Sequence, residues 1–174
     1  MTKFRFNLRN VVAITICLVV GSAFFACEKN NGNENGNSSD KGVLINGVRW
    51  ATCNVGAKGT FVTNPEDYGN YYTWEDAKTA CPIGWHMPTS NELQSLVNSG
   101  YTWTTQNGIN GMLFGTAPNR IFMPAAGISS GSYVGSGGCY WSSTESQGLF
   151  FDSGYATVYG NNKTLGFSVR CVAK

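Results

Sequence analysis

Six cysteines, a single histidine and two adjacent pairs of carboxylates are the residues of this 174-residue chain whose types could carry chemistry. Cys17 and Cys27 lie in or at the end of an apolar N-terminal run, which leaves Cys53, Cys81, Cys139 and Cys171 for the rest of the chain. Outside the cytoplasm an even number of cysteines suits disulfides, and four cysteines admit three pairings. Free thiols are the second reading. A tetrahedral zinc site is the third and the least favoured, since no two of the four have the close spacing of a C-x(2 to 4)-C motif. His86 stands between Trp85 and Met87 with no serine or cysteine nucleophile in a recognisable motif around it, so it reads as a packed or capping side chain rather than a general base. Glu66-Asp67 and Glu75-Asp76 lack the acidic ladder of a calcium loop, and calcium wants about six to eight oxygen ligands. Helix caps or surface positions suit these acids better, and the expectation is a chain with no metal and no cofactor.

The compartment follows from the N-terminus. Lys3, Arg5 and Arg9 precede an apolar run from Val11 to Ala26, the pattern of a secretory signal. The run is short for a membrane span, which needs about 20 apolar residues. It closes on Phe24-Phe25-Ala26-Cys27, which resembles a lipobox, where a small residue precedes the cysteine that is acylated and becomes the new N-terminus. Residues 1–26 therefore read as a lipoprotein signal peptide and Cys27 as the lipidation site, placing the chain in the cell envelope on a lipid anchor, with the outer membrane as the expected face. Residues 27–42 contain no apolar side chain beyond Cys27. They are expected to form a flexible linker that holds the domain away from the bilayer.

From Cys27 onward 9 basic residues face 10 acidic ones, and from residue 43 onward the numbers are 7 and 7. No basic run is left to neutralise phosphates, which excludes nucleic-acid binding on electrostatic grounds. Charged residues make up only 13% and glycine supplies 22 positions, a balance that favours short strands and tight turns in one domain over residues 43–174.

The elements that must position any site can be read in outline. Asn46-Gly47 between Val43-Leu44-Ile45 and Val48-Arg49-Trp50 predicts a hairpin. Gly56 to Asn70 is turn-rich. Thr73 and Asp76 predict a capped short helix ending before Pro82, and Thr89 with Glu92 a second, carrying Leu93, Leu96 and Val97 and stopped by Gly100. Beyond it strands are expected at Arg120 to Met123, Cys139 to Ser142, Leu149 to Phe151, Tyr155 to Tyr159 and Phe167 to Val172, the last with Phe167, Val169 and Cys171 on one face. Two short helices followed by antiparallel strands and long glycine-rich loops make an α+β fold.

Five segments in order, Trp50-Ala51-Thr52-Cys53-Asn54-Val55-Gly56, Cys81-Pro82-Ile83-Gly84-Trp85-His86-Met87-Pro88-Thr89, Phe122-Met123-Pro124-Ala125-Ala126-Gly127, Tyr140-Trp141-Ser142-Ser143-Thr144 and Gly166-Phe167-Ser168-Val169-Arg170, together resemble the Fibrobacter succinogenes major paralogous domain of exported Bacteroidetes proteins. The resemblance implies a C-type-lectin-like fold, shared with formylglycine-generating enzymes and with receptors diversified by retroelements. It also implies the pairings Cys81 to Cys171 and Cys53 to Cys139. Calcium-dependent sugar binding is not expected, because the calcium-ligating triplets of such lectins are absent. An oxidising enzyme needs a close cysteine pair, and Cys139 and Cys171 are 32 positions apart in the chain.

A non-catalytic binding role is the resulting expectation, with an enzyme of the formylglycine-generating kind or a structural adhesin or pilus-tip component as alternatives. Strand alternation turns Leu149 and Phe151 inward and Phe150 outward, and puts Tyr155, Thr157 and Tyr159 on one face. Glu145, Gln147, Asn161, Asn162 and Lys163 join them as candidate ligand-binding residues, since tyrosines with amides suit recognition of a protein, glycan or small ligand. The competing reading, equally compatible with the sequence, is that Tyr155 and Tyr159 cover core.

Overall fold

The computed structural model describes residues 42–173. The expected signal peptide, the expected acylation of Cys27 and all of the expected linker but Gly42 lie outside those residues.

Strands β1 (Val43–Ile45) and β2 (Val48–Trp50) form the expected hairpin, with Asn46 at φ 49° and Gly47 at φ 81° in the left-handed conformation a two-residue turn requires. Helix α1 (Trp74–Ala77) starts where the Thr73 hydroxyl accepts the Asp76 amide. Helix α2 (Ser90–Asn98) carries a full capping box in which Thr89 and Glu92 each satisfy the other's backbone donor, and Leu93 and Leu96 are wholly buried. Strand β3 (Trp85–His86) lies between the helices.

After α2 comes an antiparallel meander of β4 (Tyr101–Gln106), β5 (Ile109–Thr116) and β6 (Asn119–Pro124). Only β6 was anticipated. Gly111 and Gly115 weaken the strand pattern of β5, yet packing demands both: a Cβ on Gly111 would lie 2.4 Å from the Met123 carbonyl oxygen, and one on Gly115 2.3 Å from that of Asn119. A second Asn-Gly pair, Asn107-Gly108 at φ 49° and 82°, joins β4 to β5 and was the available signal. The next sheet, in the order β7-β8-β9, contains β7 (Gly137–Trp141), β8 (Gln147–Asp152) and β9 (Ala156–Gly160).

The C-terminal segment departs from expectation. Only β10 (Val172–Ala173) is a strand, inserted between β2 and β3 in the order β1-β2-β10-β3. Phe167 to Cys171 instead distributes its backbone bonds among Tyr72, Trp141, Val55 and Ala51. Phe167, Val169 and Cys171 were expected to share one face of a strand, but Ser168 and Arg170 between them are equally buried, so the segment has no solvent face.

Period-two alternation divides β7 and β8 between two hydrophobic clusters. Tyr140, Leu149 and Phe151 join Trp50, Leu93 and Phe114, while Cys139, Trp141 and Phe150 join Trp74, Trp85 and Phe167. Arg170, with no exposed surface, donates to Asn54 Oδ1 (2.9 Å), the Ala51 carbonyl (3.1 Å) and the Phe122 carbonyl (3.1 Å). A buried guanidinium is tolerated only when hydrogen-bonded in this manner, and the bonds tie β6 and the segment after β2 to the C-terminal strap.

Cys81 and Cys171 form a disulfide, as the resemblance implied. The implied Cys53 to Cys139 bridge is not formed. Cys139 is a free, buried thiol, so it is not joined to Cys53. The physical reason lies in β7, whose alternation directs Cys139 to the face it shares with Phe150, where rings surround it rather than sulfur.

Candidate functional site

The β7-β8-β9 sheet builds one aromatic surface. Cys139, Phe150 and Thr157 lie directly opposite one another across the three strands, so their side chains share a face. Tyr155 and Tyr159 flank Thr157 on that face at a spacing of two. Their rings approach Phe150 with centroids 5.7 Å and 6.4 Å away. A third tyrosine arrives from the loop before β7: Tyr133 meets Phe150 edge-on at 5.5 Å. Tyr133, Tyr155 and Tyr159 are 54%, 49% and 44% exposed, whereas Phe150 is 8% exposed.

Phe150 is therefore corrected from an outward contact residue to the floor of the cluster. It points away from Leu149 and Phe151, as alternation requires, but the three tyrosines cover it. Gly137 beside it is required by the neighbouring backbone, since a Cβ there would lie 2.9 Å from the Phe151 carbonyl oxygen. The sequence carries no signal for Tyr133, which sits in a glycine- and serine-rich loop with no periodic spacing to the strands. Its φ of 64° is a clue visible only in the fold: bulky side chains rarely occupy the left-handed region. The conformation is held by its own carbonyl, which accepts from the amides of Ser136 and Gly137.

The remaining candidates do not converge on this surface. Lys163 Nζ pairs with Glu145 Oε1 at 2.6 Å and sits 5.4 Å from the Trp74 ring, so both charges are engaged with each other. The bond lowers the Glu145 carboxyl below its ordinary range and raises the Lys163 ammonium above its own. Asn162 Oδ1 accepts from the amide and hydroxyl of Thr164, a turn-forming role. Asn161 Nδ2 donates to the Tyr159 carbonyl, and the Gln147 carbonyl accepts from Ser142, so these two brace the ends of β8 and β9.

Burial pushes the Cys139 thiol up to about 12, which makes it a poor nucleophile beneath the rings. The Tyr159 hydroxyl is raised as well, first by burial and then by its neighbours Cys139, Tyr155 and Tyr133. His86 lies in β3 opposite Val172, with a buried Nδ1 that has no hydrogen-bond partner among the described residues. Among the described residues no three of His, Cys, Asp and Glu gather into a possible metal site, and no helix is long and apolar enough to cross a membrane. What the arrangement offers chemically is three rigid amphipathic rings over an apolar floor.

Comparison with models of known families, with curated proteins and with solved structures finds no match to this chain.

Proposed function

We propose that the chain is a non-catalytic cell-envelope lipoprotein, anchored through Cys27, that binds an extracellular ligand on the surface formed by Tyr133, Tyr155 and Tyr159. The observation that carries this reading is the convergence of three half-exposed tyrosines on one buried phenylalanine. Exposed aromatic clusters of this kind mark recognition sites, and tyrosine supplies contact area with little side-chain entropy to lose.

The C-type-lectin-like reading of the fold belongs to the same proposal. It is supported by the Cys81–Cys171 bridge, which joins the segment after the first helix to the C-terminal strap. A non-enzymatic role is supported by the state of the cysteines, since Cys171 is spent in that bridge and Cys139 is a buried thiol with a raised pKa. The test is display of the full chain, purified in detergent, against an array of glycans and peptides, with Tyr155→Ala and Tyr159→Ala as controls. Binding that both substitutions weaken supports the surface; binding that neither changes rejects it.

A further inference from the structure

The sheet that carries the tyrosines has one covered edge and one open edge. On the β7 side, Gly138 is bridged by Gly127 and Tyr140 by Ser168, so that edge is closed. On the other side β9 pairs with β8 alone. The amide of Asp152 donates to the Tyr155 carbonyl across the turn, and antiparallel pairs alternate, so Thr157 and Tyr159 turn their main-chain groups toward β8. The N–H and C=O groups of Ala156 and Val158 consequently point away from the sheet. No residue outside the sheet donates to or accepts from them among the described residues.

Folded proteins usually protect such an edge with lysine, proline or a bulge. Strand β9 has no charged residue and no proline, and its five consecutive one-to-one pairs leave no place for a bulge. Strands β1, β3, β4 and β6 also end sheets, but it is beside β9 that Tyr155 and Tyr159 rise from one face at an open edge.

We infer that this edge takes an extended peptide segment as an added β-strand, whose main chain bonds to Ala156 and Val158 while its alternate side chains pack against the tyrosines. Main-chain bonds then provide affinity, and the aromatic cluster selects side chains. The inference rests on the tyrosine surface proposed above and specifies the chemistry of its ligand: a stretch of extended polypeptide, whose main chain can meet the outward N–H and C=O groups of Ala156 and Val158.

The experiment uses the full chain in detergent and a phage-displayed library of random linear peptides. The best binder is synthesised, labelled and titrated by fluorescence anisotropy, then re-made with a single N-methyl group at each position in turn. Strand addition predicts a period of two, with at least about a tenfold weakening at alternate positions and little change between them, because N-methylation removes only the donors that face β9. Val158→Pro, which removes an outward N–H and no bond to β8, should weaken the same peptide while the melting temperature confirms folding. N-methyl effects without that period, in a peptide still sensitive to Tyr155→Ala, overturn strand addition and leave the tyrosine surface standing. A clear period in a peptide indifferent to Tyr155→Ala and Tyr159→Ala retains the edge and rejects the tyrosine surface. If no peptide is selected while neutral oligosaccharides bind in a Tyr155-dependent way, the peptide inference fails alone; if neither class binds, both fail.

Discussion

The ring of Tyr133 stands edge-on to Phe150, with centroids 5.5 Å apart and planes at 76°. The two residues come from a loop and from the middle of a sheet, and the loop residue keeps an uncommon backbone conformation to make the contact. Strain of this kind costs on the order of 1 kcal/mol or more and tends to persist where presentation of a side chain matters. Tyr133→Gly relieves the backbone and deletes the ring. The expected outcome is a melting temperature close to wild type, with ligand binding weakened about tenfold, as for a moderate hot spot. A large loss of stability would assign Tyr133 to the core instead.

The other rings divide by burial. Phe150→Ala, Phe151→Ala and Trp141→Ala should each lower the unfolding free energy by about 3 to 5 kcal/mol, with Phe150 at the lower end because tyrosines can close over it. Tyr155→Ala and Tyr159→Ala should cost about 1 kcal/mol or less in stability and act mainly on binding. Chemical denaturation of the five variants measures this without any ligand. Tyrosine variants that unfold as readily as Phe151→Ala would make the cluster structural.

Cys139 predicts an alkaline weakness. Its folded pKa is raised to about 12, so above about pH 8.5 the unfolded chain releases a proton that the folded protein retains. The contribution is intact below that pH and declines as pH rises, by roughly 1 kcal/mol per pH unit until the folded thiol also ionises. Cys139→Ala should flatten the stability profile above pH 9. Alkylation at pH 8 should modify Cys139 only after denaturation, and rapid reaction of the native protein would contradict the buried thiol.

The Cys81–Cys171 bridge closes a loop with a sequence separation of 90. A chain-entropy account assigns such a loop about 4 to 5 kcal/mol, close to the whole stability of a domain at the low end of the usual range. The double variant Cys81→Ser, Cys171→Ser should therefore be largely unfolded at 37 °C or melt far below wild type, while non-reduced peptide mapping of the wild type recovers the pair.

Lipidation is decided by the Cys27 sulfur, which can carry a lipid or a disulfide but not both. Metabolic labelling with a palmitate analogue should tag wild type and leave Cys27→Ala untagged. Recovery of an unlabelled peptide joining Cys27 to Cys53 would replace the anchor with a bridge.

Local chemistry was legible from the chain alone. Asn46-Gly47 specifies its hairpin turn, Thr89 with Glu92 caps α2, and Leu149 and Phe151 face inward, because turn conformation, capping and strand alternation depend on neighbours within a few positions. Cooperation between distant segments was not legible. Alternation shows that Phe150 opposes Leu149 but not that a tyrosine from another loop covers it, so an outward residue became a floor. The same limit explains Cys139, whose partner depends on which layer β7 faces, and Phe167 to Cys171, whose hydrogen bonds go to several segments rather than to one strand. In each case burial is set by what arrives across the fold, a property of the packed whole that no local run of residues contains.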